Sequence, residues 1–403
     1  MTRKTPHKRE PFKVLILGGS YAGLAAALNL TDLCEGRPSR AGFEAPVPGL
    51  AVPFEITIVD ERDGYCSPLA LVEAEYADKA WKKFSDIPSL QHRHIHCIQG
   101  SVIAVDCEKM CASIKPHKSG SAIEHKYDYL IAATGLRRVW PTVPQSLTRD
   151  EYLNEARGHI DLVRDAEHGV VVIGGGAVGI EMAAETKLVY PNTQVTLIHS
   201  RERLLSAEPL PDDFKDQTLK LLREGGVEVI MGKRVIEISP GHSRTTLKLS
   251  DGTELRASHV ISAISKPTST TMYLPKSVLD SEDLVRITPS LHFANSDRHL
   301  AIGDIAAWSG IKRCGGAMHM GHFAAINIHQ HMLHGVGLIE QVEYKTLSEF
   351  PPAIGLALGD TAIGWWAEGG IQSGPKFLEL MFGTDLGWSI CWNHLGLGKG
   401  VES

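Results

Sequence analysis

No uninterrupted apolar stretch reaches the roughly 18 residues a helix needs to cross a bilayer, so no membrane span is predicted. Paired cysteines are missing too. The seven, at 34, 66, 97, 107, 111, 314 and 391, are odd in number and include no C-x-x-C. That argues against a disulfide framework and for reduced thiols. Cys107 and Cys111, in a strand-turn region, read as small buried residues and not as a redox dithiol. No long basic run interleaves with aromatics and the net charge is −6, so nucleic acid is not an expected partner. Met1 to Glu10 is basic and polar, without the apolar segment of a signal peptide, and Thr2 stands where N-myristoylation needs glycine. A cytoplasmic protein is the expectation, with peripheral membrane or mitochondrial association left open. His92, His94 and His96 alternate along a strand, but no carboxylate or cysteine at ligand spacing completes a metal site. An exposed strand face is expected there, and no metal is assigned.

What the chain does have is length for two or three domains, at 403 residues, and two glycine loops. Gly169 to Ile173 reads as a buried strand that turns into a helix through Gly174, Gly176 and Gly179. This is the dinucleotide-binding spacing: a tight turn, a close approach to pyrophosphate, and close helix–strand packing under the positive end of a helix dipole. Upstream, Lys13 to Leu17 leads into Gly18, Gly19, Ser20 and Gly23, a second copy in which Ser20 replaces the middle glycine.

The strand after the first loop, Phe54 to Val59, ends at Asp60, placed to bond a ribose. Asp60 lies 37 positions beyond Gly23, more than the usual gap of about 20, and the stretch Thr31 to Pro53 reads as a surface insertion. A solvated strand-end role for Asp60 stays open. The strand after the second loop ends at His199, 20 positions beyond Gly179, with Arg201 and Arg203 following. Cations therefore stand where an acid would select NAD. Between the two loops lies a strand ending in Ala133-Thr134-Gly135, and beyond them come a hairpin through Asp251-Gly252, a strand ending in Gly303-Asp304, and an apolar-faced helix from Met320 to Leu333.

The order of glycine loop, Ala-Thr-Gly strand, second glycine loop and Gly-Asp strand resembles the two-dinucleotide-binding-domain flavoproteins, over roughly residues 12 to 335. Within them it resembles the apoptosis-inducing-factor-like branch, which includes the ferroptosis suppressor protein and the type II NADH dehydrogenases. The resemblance implies an α/β fold with two Rossmann-like dinucleotide-binding domains and a small C-terminal α+β region. A split FAD domain would occupy 1–143 and 272–340, an inserted NAD(P)H domain 144–271, and the C-terminal region 341–403. Gly18, Gly19, Ser20, Gly23 and Asp60 would bind the ADP half of FAD. Thr134 and Gly135 would close over it, Gly303 and Asp304 would meet its ribityl or pyrophosphate part, and Met320 would lie against the ring. Gly174, Gly176 and Gly179 would hold NAD(P)H, with Glu181 near the nicotinamide and His199, Arg201 and Arg203 at the adenine ribose. Glu181 and His319 are the candidate polar groups near the reacting rings, although His319 also reads as a satisfied helix-start histidine.

The activity so implied is hydride transfer from NAD(P)H to flavin N5, then electron transfer to a quinone-like acceptor. A tailoring oxidoreductase for one small metabolite and a non-enzymatic NAD(P)H sensor are the alternatives. A disulfide reductase would need a dithiol beside the flavin, and no local pattern supplies one. Trp365, Trp366, Phe377, Phe382, Trp388 and Trp392 could line an acceptor entrance, form a homodimer face, or seal the C-terminal region against the rest.

Overall fold

The computed structural model describes residues 10–67, 73–140, 143–264 and 267–400. The basic start and part of the 137–144 linker lie outside them. Strand β1 (Phe12–Leu17) carries a continuous apolar run and is buried on both faces, the pattern of a parallel strand covered by helices. Helix α1 (Tyr21–Cys34) follows directly and is buried along nearly its whole length. A helix apolar all round must be enclosed. Next come β2 (Phe54–Asp60), β3 (Ile95–Asp106), β4 (Cys111–Pro116), β5 (Ile123–Lys126) and β6 (Tyr129–Ala132). β3 is one long strand whose pairing with β4 shifts register between Val102 and Ala104.

His92 and His94 precede β3 and do not share an exposed strand face. His92 is buried, its Nε2 2.9 Å from a Glu35 carboxylate oxygen and its ring stacked on Phe54. Only His96 is exposed, beside Glu55. The Glu35 contact and the ring stack accompany the burial.

Helix α2 (Arg149–Arg164) leads to β7 (Val170–Ile173), α3 (Ala177–Val189), β8 (Val195–Ile198), α4 (Asp212–Glu224) and β9 (Glu228–Ile230). A three-stranded antiparallel sheet of β10 (Val235–Pro240), β11 (Thr245–Leu249) and β12 (Glu254–Ala257) precedes β13 (His259–Ser262). The chain then returns to the first sheet through β14 (His299–Ala301). The first sheet runs β14-β6-β1-β2-β3-β4-β5, and a separate parallel sheet runs β9-β8-β7-β13. This is an α/β fold with two parallel, Rossmann-like units, one threaded into the other.

Helix α5 (Cys314–Gly335) crosses α1 closely: a Cβ on Gly321 would sit 2.4 Å from the Ala22 carbonyl oxygen. Small residues at this crossing set the separation of the two helices. The C-terminal region is an antiparallel sheet of β15 (Ala353–Leu358), β16 (Thr361–Trp366) and β17 (Gly370–Ser373), then α6 (Pro375–Phe382) and α7 (Trp388–Leu395). Ile354, Leu356 and Ile363 pack into the core of the second unit. Trp388 is buried with Trp81 and Tyr152 and stacks on Trp392, ring centroids 4.9 Å apart. Trp365 packs on the second unit's core, and Trp366 stacks on Phe377. Trp388 and Trp365 thus pack the C-terminal region against both units. Among the described residues no helix is long and apolar enough to cross a membrane.

Candidate functional site

The two glycine loops adopt one geometry. Gly18 has φ +108° and a Cβ there would lie 2.3 Å from the Ala133 carbonyl oxygen; Gly174 has φ +118°, with the Ala263 carbonyl oxygen 3.0 Å away. A Cβ on Gly23 would meet the Gly18 oxygen at 1.9 Å, and one on Gly179 would meet the Gly174 oxygen at the same 1.9 Å. Only glycine fits such places, because no side-chain atom can approach a carbonyl so closely. Ser20 and Gly176 are the N-caps of α1 and α3, neither making a side-chain capping bond, and nothing lies within 4 Å of a Cβ built on Gly176. Each helix start therefore offers unpaired backbone N–H groups, the feature that favours an anion.

At the end of the second strand of each unit, one side chain receives the loop's amide. The Gly19 N–H donates to Asp60 at 2.7 Å, and the Arg62 N–H donates to its other oxygen at 2.8 Å. Burial pushes the Asp60 carboxyl above its ordinary range, with both amides opposing. In the second unit the Gly175 N–H donates to His199 Nδ1 at 3.1 Å, and Nε2 lies 3.2 Å from the Ser206 hydroxyl. An accepting Nδ1 means a neutral imidazole with its proton on Nε2. Burial, then the Arg201 charge, lowers the His199 pKa. His199 is thus a loop anchor, a role the spacing alone did not show. Arg201 is exposed beside it. Arg203 is held instead by Asp212 and Asp216 on α4, at 2.8 and 3.1 Å.

Gly303, Asp304, Ser309, Ile311, Arg313 and Met320 are among the residues lining a small cleft at the start of α5. Gly303 takes φ +71°, and its N–H points at the buried Met320 sulfur, 3.3 Å away. Asp304 is pushed up by burial, opposed by Lys312, Arg138 and Arg313. Thr134 is hydrogen-bonded to Tyr273 at 3.0 Å and to Thr270 at 2.7 Å, and Gly135 follows it at φ +71° in open space. Glu181 reaches from α3 to accept the Ala357 N–H at 3.2 Å; burial raises its pKa to about 7, with Arg313 opposing. His319 is packed among Phe43, Phe323 and Phe350, and burial lowers its pKa. The two candidate polar groups thus have different neighbours: Glu181 faces the cleft's Arg313, His319 an aromatic cluster.

The fit to two dinucleotides can be tested on polar atoms the protein leaves unpaired. Arg313 Nη2, in the cleft wall, and Arg62 Nε, beside Asp60, are buried without a hydrogen-bond partner. Buried donors of this kind cost free energy unless something accepts from them. Together with the glycine cradles, they fit phosphate and carbonyl oxygens of bound cofactors.

Arg313, Lys312, Arg138, Arg62 and Tyr273 escaped the sequence reading because no motif marks them.

Comparison with known proteins agrees with this geometry. The family description "Pyridine nucleotide-disulphide oxidoreductase" matches residues 12–321. Oxidoreductase OXR1 of Ajellomyces capsulatus is 49% identical, with 96% of this chain and 88% of that one covered. Ferroptosis suppressor protein 1 of Homo sapiens is 28% identical, covering 73% and 74%. Among solved structures, NDH2 from Plasmodium falciparum in complex with NADH superposes with a TM-score of 0.66 at 13% identity, over 96% and 97% of the two chains. With two glycine loops on two parallel sheets and this match over most of its length, the chain belongs to the pyridine nucleotide-disulphide oxidoreductase family and is an FAD-dependent NAD(P)H oxidoreductase.

Proposed function

We propose that the protein passes electrons from NAD(P)H, held on the second glycine loop, to a quinone-like acceptor. The matched geometry of the two glycine loops carries this reading. FAD, when bound, supplies the redox chemistry at its N5, taking hydride from a nicotinamide and passing electrons onward. The protein's part is placement and charge. Gly18, Gly19, Ser20 and Gly23 would cradle the ADP phosphates, with Asp60 and the unpaired Arg62 Nε at the ribose. Asp60 has lone pairs left after accepting two amides. Asp304, Lys312 and Arg313 would hold the polar chain of the cofactor, while Thr134, Gly135, Gly303 and Met320 form the surrounding wall.

On the other side, Gly174, Gly176 and Gly179 would take the pyrophosphate of NAD(P)H. His199 stays neutral and so does not repel a 2′-phosphate as a carboxylate would. Arg201 would meet that phosphate, so both cofactors are accepted, with a preference for NADPH. Glu181 would orient the nicotinamide end, and His319 would shape the aromatic wall. The quinone class rests on the resemblance to the ferroptosis-suppressor and type II NADH dehydrogenase branch. Access beside the C-terminal region is the route proposed for it.

Anaerobic mixing tests the whole. The purified protein should carry FAD, NADPH should bleach its absorbance, and a soluble quinone should restore it. Asp304→Ala should purify without flavin. Colourless protein that cannot be reconstituted would overturn the FAD assignment. Bleaching that no quinone reverses would overturn the acceptor.

A further inference from the structure

Gly175, in the second glycine loop, is held through both of its backbone polar groups. Its N–H donates to His199 Nδ1 at 3.1 Å, and its carbonyl accepts from the Leu205 N–H at 2.8 Å. A Cβ on Gly175 would lie 2.6 Å from Leu204 Cδ2 and 2.8 Å from His199 Cγ. The turn that follows β8 therefore packs directly on this glycine, together with the imidazole. The first loop is held differently. There the Gly19 N–H donates to Asp60, and a Cβ on Gly19 would meet the Phe84 ring at 2.5 Å.

Two features of the turn at 204–206 go beyond packing. Leu205 takes φ +53°, a left-handed conformation that a bulky side chain rarely adopts, and it is buried. Strain of this kind persists only where the surroundings hold it, and it clusters at functional segments. Next in the chain, the exposed Ser206 has its hydroxyl 3.2 Å from His199 Nε2. Nδ1 can accept from Gly175 only while the single proton of the neutral ring sits on Nε2. A hydroxyl oxygen that accepts from Nε2 favours that tautomer. The Asp60 carboxylate has no tautomer to fix, so the first loop needs no such neighbour.

We propose that the turn at 204–206 presets the NAD(P)H loop, with Ser206 as a positioning residue that keeps the His199 proton on Nε2. This rests on the reading of the second loop as the NAD(P)H site. With the Gly175 peptide fixed, the amides that open α3 stay free for a pyrophosphate. A second proton on His199 would occupy the lone pair that the Gly175 N–H needs, so acid loosens the loop. Burial opposes that proton most, the Arg203 carbonyl favours it, and the Arg201 charge opposes it. The other charged side chains nearby are engaged elsewhere: Arg203 with Asp212 and Asp216, Lys233 with Asp251 at 2.7 Å, and Glu202 against Gly232.

The test uses the flavin-loaded protein carrying 15N-labelled histidine. Long-range nitrogen–proton correlation spectra at pH 8 should show His199 protonated at Nε2 and bare at Nδ1. Its signals are those that His199→Asn removes. Ser206→Ala should move population to the other tautomer and raise the NADH dissociation constant about threefold to tenfold. The limiting rate of flavin reduction should hold. Ser206→Thr keeps the hydroxyl and should restore both readings. Ser206→Asp can only accept, and its charge favours the imidazolium, so the acid limb of NADH binding should move to higher pH. NADH is the probe because it has no 2′-phosphate for the new charge to repel. A wild-type proton on Nδ1 would overturn the proposal. So would Ser206→Ala with wild-type tautomer and affinity, or an acid limb that Ser206→Asp leaves in place. Failure of the underlying reading looks different: Gly179→Ala would then be reduced at the wild-type rate, whatever the tautomer of His199.

Discussion

At Gly18 and Gly174 the backbone turns with φ of +108° and +118°, and at Gly23 and Gly179 the helix meets the loop's carbonyl with the same 1.9 Å exclusion of a Cβ. The two loops diverge at the residue that accepts the second amide: a carboxylate at Asp60, a neutral imidazole at His199. Loop geometry marks a dinucleotide site. The accepting side chain sets the charge that the adenine ribose meets. Because His199 accepts through Nδ1, a proton there would break its bond to Gly175, whereas Asp60 accepts best when ionised. The second loop is therefore the more sensitive of the two to acid.

The largest effects should come from the shared geometry. Gly23→Ala and Gly179→Ala each force a methyl onto a carbonyl oxygen, and overpacking of this kind costs about 1–3 kcal/mol or more. Gly23→Ala should abolish flavin loading, since the loop cannot close without moving α1. Gly179→Ala should keep its flavin and lose reduction by NAD(P)H. Absorbance of the purified variants, followed by stopped-flow mixing, reads both. Should Gly179→Ala be reduced at the wild-type rate, the second loop would not be the NAD(P)H site and the comparison would collapse.

Smaller effects sharpen the difference in charge. His199→Asp rebuilds the first loop's acceptor in the second and should weaken NADPH while sparing NADH. Losing a charge-assisted phosphate contact costs about 1.5–3 kcal/mol, so Arg201→Ala should raise the NADPH Michaelis constant roughly tenfold or more. NADH should barely respond. Arg203→Ala should leave both cofactors alone, because Asp212 and Asp216 already occupy that guanidinium. Equal losses for both cofactors in Arg201→Ala would show that no phosphate is read there.

Apolar runs into glycine loops made both parallel units legible, because a buried parallel strand and a positive-φ glycine leave local signatures. The start of α5 was not legible. Gly315 and Gly316 are poor helix formers, so the expected helix began at Met320, while tertiary packing extends it back to Cys314. Strand β10 was missed for a related reason: it is mostly exposed and shows no alternation of buried residues. The site's remaining gaps are long-range. The capture of Arg203 by α4 and the approach of Ala357 to Glu181 each depend on how separate elements pack. No spacing in the chain encodes them locally.

The smallest expected effect concerns Glu181, where the second unit meets the C-terminal sheet. Its carboxyl is raised from an ordinary 4.5 to about 7, mainly by burial. A carboxyl raised on folding stabilises the fold fully below its unfolded pKa, and that contribution fades as pH climbs through the folded one. The buried histidines act with the opposite sign. His159, His292, His299 and His322 are lowered to about 4, so they destabilise the fold as pH drops below 6.5. The histidines contribute alike to the wild type and to a Glu181 variant, so the difference between the two isolates Glu181. Glu185, also raised to about 7 by burial, Glu73 and Glu181, adds to the same slope. From pH 6.5 to 8 the contribution of these two carboxyls should fall, at no more than about 1.4 kcal/mol per pH unit for each group. Glu181→Gln keeps a neutral side chain of similar shape at every pH and should flatten part of that slope. Thermal melts of the flavin-loaded protein across this range decide it. A variant whose slope matches the wild type would mean that Glu181 is ionised in the fold, and that the nicotinamide side of the cleft carries a negative charge the present geometry does not give it.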